Sequence, residues 1–394
     1  MRSLSCGRAA HSIVDRQNFP SDALSLTMQM NSTLIDPRHV IRKYSLAELC
    51  QSADDYYQRI ADPRPLMGKP FSSITEAPEL LISMGQLLSD LQLGKTMRVL
   101  EFGAGTCWFS RFLNQLQCST ISCDTSATAL GIGKRLFRDY PIVGEHVAAP
   151  EFLVFNGKTL DLPDNSVDRI ICFDTFHHVP NQEDVLAEFF RVLKEDGIAG
   201  FSEPGRHHSR SPQSQNEMAN FKVLENDIDL DSIFRIAKRT GFRRCKATIE
   251  TASKSVFFLH KGSSSFDSRS HVGLAATLKA ERQRYMARKN VPLTIDVDIV
   301  NSGGAKWLCK NVNEIGVVKL GAHLYDADHN LLDLDFGRSE LMRDVKPGEA
   351  IAQSITLSFP YGGKFYLVLD LVSEAICWFE NVGSKPIQVE VTVQ

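Results

Sequence analysis

The sequence predicts an α/β fold, with a mostly parallel sheet covered by helices on both faces, followed by an antiparallel β-sandwich. Two observations carry this prediction. From Leu46 to about Gly262, short β-rich apolar runs alternate with amphipathic helical stretches, as in proteins built on a parallel sheet. From Val291 onward the helical period disappears and polar turns separate the apolar runs, which is typical of a β-sandwich.

The individual elements follow from the same pattern, taken in chain order. The predicted strands of the first part are Met97–Phe102, Thr120–Cys123, Arg169–Phe173, Gly197–Ser202 and Ser255–His260. The predicted helices between them are Trp108–Leu116, Gln182–Leu193 and Asp229–Thr240. The predicted strands of the second part are Pro292–Val300, Val317–Tyr325, Ala350–Ser358, Phe365–Val372 and Ile387–Val393. The polar run 326–330 has the composition of a hairpin loop.

The change of pattern divides the chain into four segments. We expect a partly disordered N-terminal tail over residues 1–45 and the α/β domain over residues 46–262. A linker over residues 263–290 is predicted from its serine-rich start, and it includes a charged helix at Gly273–Lys289. The β-sandwich domain then occupies residues 291–394.

The composition excludes several classes of protein. Hydrophobic residues make up 43% of the chain and charged residues 23%, the balance of a globular protein. Because the formal net charge is -3, we expect no nucleic-acid partner. The 9 cysteines include no C-x-x-C pair and predict reduced thiols and a cytoplasmic location. No apolar run is long enough to predict a transmembrane segment.

The most informative stretch is a glycine-containing turn between a strand and a helix. An apolar strand leads into Gly103, Ala104 and Gly105, and an amphipathic helix begins near Thr106. Glycine lets a backbone turn sharply and approach a ligand closely, and the free N–H groups at a helix start favour polar or anionic atoms. The turn therefore predicts a nucleotide-like ligand.

Two cofactors compete for this turn. A dinucleotide fingerprint, G-x-G-x-x-G, would place its third glycine at Trp108, where an indole would crowd a pyrophosphate. The alternative pattern, acidic-x-G-x-G, begins at Glu101, whose carboxylate suits a ligand that carries an ammonium and a sulfonium. The sequence thus favours S-adenosylmethionine over NAD.

A second acidic residue follows at the end of the next predicted strand. Asp124 lies 21 residues after Gly103 and ends the run that begins at Ser119. A carboxylate at a strand tip can accept both hydroxyls of a ribose, so we expect Asp124 to bind the cofactor. The alternative is that Asp124 only caps the helix that starts at Thr125.

The segment before the fourth strand carries a resemblance to a known family. Its Leu-Pro pair at 162–163 and Ser-x-Asp at 166–168 resemble the class I S-adenosylmethionine-dependent methyltransferases of type 11, over about Met97–Leu259. The resemblance implies a Rossmann-like fold. It also implies that Asn156 and Gly157 lie near the adenine and that the backbone after Phe173 faces the methionine end.

One residue departs from the family pattern. The family's loop often has a third small residue, and here that position holds Cys107. A helical backbone at Cys107 would carry no strain, whereas a positive φ would weaken cofactor affinity.

Histidines are the candidates for the chemistry. Methyl transfer needs alignment, and an oxygen acceptor also benefits from a base that takes its proton. His177 and His178 follow the fourth strand directly, at the edge where ligands of open α/β sheets bind. We expect His178 to be the base; the alternative is that the pair only shapes the pocket.

The long polar loop after the fifth strand adds three candidates. Glu203, His207 and His208 are expected acceptor contacts or bases. A metal site built from these residues with His177 and His178 would be expected to show H-x-x-x-H spacing on a helix. That spacing is missing from the sequence, so we predict no metal.

The acceptor is suggested by a further resemblance. Glu203–Arg243 is similar to methyltransferases associated with bacterial polysaccharide and glycan biosynthesis. This implies a small-molecule or glycan acceptor, expected to react through a hydroxyl, while nitrogen and carbon acceptors stay open. Two other functions also stay open: an NAD-dependent oxidoreductase, opposed by Trp108 and Glu101, and a degenerate scaffold for the β-sandwich, suggested only by Cys107.

The C-terminal segment resembles sandwich modules appended to bacterial glycan-modifying enzymes. Trp307, Trp378 and Phe379 could stack on a sugar face or pack in the core, and Arg338 and Glu374 could be polar ligands or solvated charges. The resemblance implies contact with the acceptor, a partner or a second subunit in a homo-oligomer.

Overall fold

The computed structural model describes residues 34–143, 148–262 and 266–394. The chain forms two compact units. Within the described residues, the first unit comprises 34–91 and 98–262, and the second comprises 92–97 and 266–394. The predicted N-terminal tail lies mostly outside the described residues, and a helix begins within its last part, at Pro37.

The first unit is built on a seven-stranded sheet. Its strands are β1 (Arg98–Phe102), β2 (Ser119–Asp124), β3 (Glu151–Val154), β4 (Val167–Phe173), β5 (Leu193–Pro204), β6 (Arg244–Glu250) and β7 (Lys254–His260). They are arranged in the order β3-β2-β1-β4-β5-β7-β6. The first five are parallel, and β7 runs antiparallel to both β5 and β6. The Rossmann-like, mostly parallel sheet that the sequence predicts is thus confirmed.

Nine helices of four or more residues accompany this sheet in the described part of the unit. They are α1 (Pro37–Lys43), α2 (Leu46–Gln58), α3 (Arg64–Met67), α4 (Ala77–Leu91), α5 (Trp108–Gln115), α6 (Ala127–Asp139), α7 (Gln182–Val192), α8 (Pro212–Asn220) and α9 (Leu230–Thr240). A short 3-10 turn, Phe176–His178, follows β4.

Burial explains why the central strands could be predicted and two others could not. Every residue of β4 from Val167 to Cys172 is buried, because helices cover both faces of a parallel sheet. Phe201 of β5 stacks on Phe257 of β7, with ring centroids 4.4 Å apart. The strand β6 is largely exposed and lacks the apolar run that identifies a strand, whereas β3 has an apolar run but is only four residues long.

The second unit contains two sheets. Its strands are β8 (Ala276–Ala280), β9 (Arg284–Ala287), β10 (Leu293–Asn301), β11 (Val318–Tyr325), β12 (Leu331–Glu340), β13 (Ala350–Leu357), β14 (Gly363–Ser373), β15 (Cys377–Trp378) and β16 (Ile387–Val393). One sheet has the order β13-β10-β8 and the other β12-β11-β14-β16-β9, with β15 paired to β14. All pairs are antiparallel except β16 with β9, so the predicted antiparallel β-sandwich holds with one parallel pair.

The predicted helix at Gly273–Lys289 is wrong, because this stretch forms β8 and β9. In β8, Ala276 and Leu278 are buried while Thr277 and Lys279 are exposed, which is the period of two expected for a strand. Its charged residues occupy the outward positions and hid this alternation. The sandwich therefore begins near Ala276 rather than at 291.

The aromatic residues of the second unit divide into core and surface. Trp307 and Phe379 are fully buried and pack on each other, so their predicted alternative role at a sugar surface is wrong. Trp378 is half-buried, with the Arg338 guanidinium 4.2 Å from its ring centroid. The Arg338 side chain also lies 3.4 Å from the Glu374 carboxylate, so this pair is not simply solvated.

Three further features of the described residues bear on the sequence predictions. Among the described residues, no helix is long and apolar enough to cross a membrane. The described cysteines are all free thiols; Cys6 lies outside the described residues. The predicted hairpin loop joins β11 to β12, where the Asp326 carboxylate accepts the Asn330 N–H at 2.8 Å.

Candidate functional site

A cavity of about 900 Å³ opens in the first unit at the carboxyl ends of the strands. Its floor includes Gly103 after β1, Asp124 at the end of β2, Thr175 after β4 and Glu203 near the end of β5. A smaller hollow of about 130 Å³ lies beside the glycine turn and is lined in part by Glu101. This edge of the sheet is where ligands of open α/β folds bind.

The glycine turn leaves no space for side chains. Gly103 has φ +73°, and a Cβ placed on it would lie 1.8 Å from Oγ1 of Thr175. The N–H groups of Gly103 and Ala104 both donate to the Cys123 carbonyl, which ties the turn to β2. Gly105, with φ +52°, faces the hydroxyl of Tyr57. The backbone can therefore approach a ligand closely.

Asp124 connects the turn to the end of β2. One oxygen of its carboxylate accepts the Gly105 N–H at 2.8 Å, and the other accepts the Ser126 N–H at 2.8 Å. Burial raises the pKa of Asp124, and this effect is larger than the lowering of the pKa by these N–H donors. Ser126 is the N-cap of α6, so its hydrogen bond to Asp124 stabilises the start of that helix. Asp124 also lines the cavity. The N–H of Thr125 also donates to this carboxylate, whose two oxygens together offer about four acceptor sites, so acceptor capacity is left for a ligand hydroxyl.

Glu101 is buried at the smaller hollow. Its carboxylate accepts a short hydrogen bond from the Ser110 hydroxyl, and burial raises its pKa to about 8. A cationic ligand group beside Glu101 would favour the ionised carboxylate. This placement agrees with the expected preference for an ammonium or a sulfonium, and Ala104 lines the same hollow.

Cys107 adopts the strained conformation considered above. Its φ is +60° and its side chain is fully buried, so it lies in the left-handed region that L residues avoid. Its sulfur occupies the space that a Cβ on Gly133 would need, at 2.3 Å.

The three residues expected near adenine and methionine differ in their surroundings. Gly157 lines the cavity with φ +84°, and a Cβ there would lie 2.9 Å from the Cys50 sulfur. Phe173 lines both the cavity and the hollow and packs against Trp108. Asn156 is exposed and is not part of the cavity lining. Its side-chain Oδ1 accepts the Lys158 N–H, so the side chain stabilises the loop in which it lies.

Glu203 organises the turn that carries the histidines. Its carboxylate accepts the N–H groups of Thr175 at 3.1 Å, Phe176 at 2.9 Å and His177 at 3.3 Å. The same carboxylate lies 2.7 Å from Nδ1 of His177, whose ring is buried. Burial lowers the pKa of His177, so Nδ1 carries the proton toward Glu203 and Nε2 is left as an acceptor.

The other histidines converge on a residue that the sequence did not single out. Glu225 is buried, with one carboxylate oxygen 2.5 Å from Nε2 of His208. Burial opposes its ionisation, but the neighbouring His178 and His208 lower its pKa to about 2. His178 directs Nδ1 to the Leu224 carbonyl at 2.7 Å. Burial lowers the pKa of His178, and Glu225 more than reverses that effect.

Sequence reasoning missed part of the lining and overestimated one candidate. Glu225 follows an irregular stretch with no period to mark it, and Tyr57 and Lys69 come from the helical region before β1. Only proximity in the fold identifies these three. His207, by contrast, is exposed and lies outside the cavity lining.

Comparison with known proteins assigns the central part of this unit. Residues 100–201 match the family model described as "Methyltransferase domain". This segment is a class I methyltransferase domain. S-adenosylmethionine is the cofactor of such a domain, and the acidic-glycine turn and Asp124 lie within the matched residues.

The methyltransferase domain has relatives that cover part of the chain. The ubiquinone/menaquinone biosynthesis C-methyltransferases of Salmonella arizonae and Salmonella newport are 30% identical over 121 residues. That match covers 29% of this chain and 46% of the relative, so the chain spans less than half the length of the curated relatives. A methyltransferase from Methanosarcina mazei is 17% identical, with a TM-score of 0.39 and coverage of 44% of this chain and 97% of that one. The phosphoethanolamine N-methyltransferase 2 of Haemonchus contortus is 14% identical, with a TM-score of 0.44 and coverage of 56% and 61%.

The site of the methyltransferase domain fits this cofactor on its own geometry. The close contact with Thr175 excludes a side chain at Gly103, and Asp124 faces the cavity from the end of β2. Burial raises the pKa of Glu101 to about 8, and a sulfonium or an ammonium beside this carboxyl would favour its ionised form.

Proposed function

We propose that this protein transfers the methyl group of S-adenosylmethionine to a hydroxyl of a small-molecule or glycan acceptor. The observation that carries the proposal is a single cavity that joins the glycine turn at Gly103 to the cluster of His177, His178 and His208. When bound, the cofactor supplies an electrophilic methyl group on its sulfonium. The two ends of the cavity thus provide donor binding and proton removal.

At the donor end, we propose that Asp124 accepts the ribose hydroxyls and that Glu101 faces the charged methionine end. The free lone pairs of the Asp124 carboxylate support the first role, and the position of Glu101 in the adjoining hollow supports the second. Gly157 and the backbone after Phe173 complete this end. Asn156 is left out, because its side chain is exposed and closes its own loop.

At the acceptor end, we propose that His178 takes the proton of the hydroxyl. Its Nδ1 is directed at the Leu224 carbonyl, so Nε2 is available as a proton acceptor, and 39% of its side chain is exposed. His177 is held by Glu203 and is less exposed, so the proton transfer is assigned to His178 and not to His177. A proton acceptor is needed for a hydroxyl and is the reason for preferring it over an amine.

The other expectations for the whole chain remain part of this proposal. A glycan acceptor, a role in polysaccharide biosynthesis, a cytoplasmic location and a partner or second subunit bound through the sandwich rest on composition and resemblance. The two other candidate functions, an oxidoreductase and a scaffold, gain no support from the site. Trp108 stands at the helix start where a dinucleotide would need glycine, and the cavity is fully formed.

The test is formation of S-adenosylhomocysteine with a panel of sugars and other hydroxyl compounds. We expect S-adenosylhomocysteine to form only when one class of hydroxyl compound is present as the acceptor. In His178→Gln, kcat should fall 10²- to 10⁴-fold while S-adenosylhomocysteine affinity stays unchanged. His207→Gln, an exposed neighbour of the cluster, is the control and should keep wild-type kcat. Methylation of amines or carbon acids alone would contradict the hydroxyl assignment.

A further inference from the structure

Three imidazole rings surround one buried carboxylate in the cavity. Glu225 is only 3% exposed, and its two oxygens lie 2.5 Å from Nε2 of His208, 4.0 Å from Nε2 of His177 and 3.4 Å from Nδ1 of His178. One ligand atom from each of His177, His178 and Glu225 lies within 4.8 Å of the other two. Mixed imidazole and carboxylate donors at this spacing are those of transition-metal sites.

One oxygen of that carboxylate has an unused hydrogen-bonding capacity. Oε1 of Glu225 is buried and, among the described residues, receives no hydrogen bond. A buried carboxylate oxygen without a donor is costly, and a cation is one way to satisfy it. A titratable neighbour of this oxygen, Nδ1 of His178, lies 3.4 Å away and is directed to the Leu224 carbonyl, so Oε1 can still bind a cation.

Glu203 fixes the orientation of His177, so that Nε2 of this histidine faces Glu225. Glu203 holds Nδ1 of His177 at 2.7 Å, so Nε2 is unprotonated and directed toward Glu225. Metal-binding histidines typically donate their other N–H to a carboxylate or a carbonyl in this way.

The relative orientation of two rings also fits one shared ion. Two imidazoles that bind a metal through Nε2 at about 2.1 Å, at right angles, bring their ring centroids to about 4.6 Å. The rings of His177 and His208 have centroids 4.8 Å apart and planes inclined by 81°. The separation is close to that of two cis ligands of an octahedral ion.

We propose that His177, His208 and Glu225 bind a divalent first-row transition-metal ion, with Glu203 positioning His177. His178 is left out of this ligand set, because its Nδ1 is directed to the Leu224 carbonyl. Two histidines and one carboxylate leave coordination positions open, and all three side chains line the cavity. This part of the inference rests on the proposed function: the open coordination positions bind the hydroxyl oxygen of the acceptor. The bound ion lowers the pKa of that hydroxyl, so its proton is easier to remove. The sequence predicted no metal because the histidines lack H-x-x-x-H spacing, and Glu225 lies outside any recognisable metal-ligand motif.

The test is titration of the metal-stripped, untagged full chain with Co²⁺, followed by calorimetry and by visible absorption. We expect one equivalent per chain, with at least tenfold weaker binding in His208→Ala and in Glu225→Gln. Glu203→Gln should weaken binding 10- to 100-fold through His177. His207→Ala changes the adjacent exposed histidine and should bind Co²⁺ like the wild type.

S-adenosylhomocysteine binding, measured on the same samples, separates the outcomes. Retained S-adenosylhomocysteine affinity in each variant shows that the domain is folded, so a loss of Co²⁺ binding then reports on the site. If the wild type binds S-adenosylhomocysteine but no Co²⁺, or if His208→Ala binds Co²⁺ as tightly as the wild type, the metal site is refuted and the proposed function survives. If Co²⁺ binds as expected and S-adenosylhomocysteine does not, the proposed function fails instead.

Discussion

Glu101 is the residue whose charge depends most directly on burial. Water is excluded from its carboxyl, and the Ser110 hydroxyl offsets only part of the cost of ionisation, so the pKa rises to about 8. The unfolded chain has the ordinary value near 4.5. Between these two pH values the folded state binds the proton more tightly than the unfolded state.

This difference predicts a pH-dependent effect of Glu101→Gln. Stability that comes from the proton on Glu101 is complete below pH 4.5 and is lost as the pH rises toward 8. Glutamine removes this loss, so the free energy of unfolding of the variant relative to wild type should rise by about 1–4 kcal/mol from pH 5 to pH 8.5. Denaturant titrations at both pH values measure it.

The matched control is Glu151→Gln, which changes an exposed carboxylate on β3. Its difference from the wild type should stay nearly constant between the two pH values. A Glu101→Gln difference that is equally constant would show that this carboxyl is already ionised at pH 5 in the folded domain.

At the scale of elements, α6 contains two glycines with opposite surroundings. Nothing lies within 4 Å of a Cβ built on Gly131, whereas a Cβ on Gly133 would lie 2.3 Å from the Cys107 sulfur. Alanine normally favours a helix over glycine by about 1 kcal/mol. Gly133 is therefore explained by the side chain that departs from the family pattern.

The two alanine variants should change stability in opposite directions. Gly131→Ala should raise the free energy of unfolding by up to about 1 kcal/mol, and Gly133→Ala should lower it by about 1–3 kcal/mol through overpacking. In a Cys107→Gly background, Gly133→Ala should lose most of this penalty. Chemical denaturation of the wild type, Cys107→Gly, Gly133→Ala and the double variant forms a double-mutant cycle, and additive effects would rule out the contact.

The strands differ in how well the sequence alone predicts them. The buried strands β1, β2, β4, β5 and β7 carry apolar runs, so local pattern was sufficient for them. The missed edge strand β6 and the misassigned β8 have charged residues on exposed positions, and the missed edge strand β3 is only four residues long, so pairing with neighbours defines all three.

At the scale of the whole molecule, site residues that are close together in the sequence could be predicted, whereas those that are far apart in the sequence could not. Glu101, Gly103 and Gly105 lie in one turn, so their spacing alone indicated a ligand. The cluster around Glu225 joins residues from three separate segments, and no spacing rule links them. Its recognition required the fold that brings the ends of β4 and β5 to the same edge.

The most direct test of the account is parallel calorimetric titration with S-adenosylmethionine, S-adenosylhomocysteine and NAD. We expect micromolar binding of both adenosyl ligands and none of NAD. Asp124→Ala should weaken both adenosyl ligands by about 1–3 kcal/mol, while Asp139→Asn, an exposed carboxylate at the end of α6, should leave them unchanged. Binding of NAD alone, or of none of the three, would contradict the account.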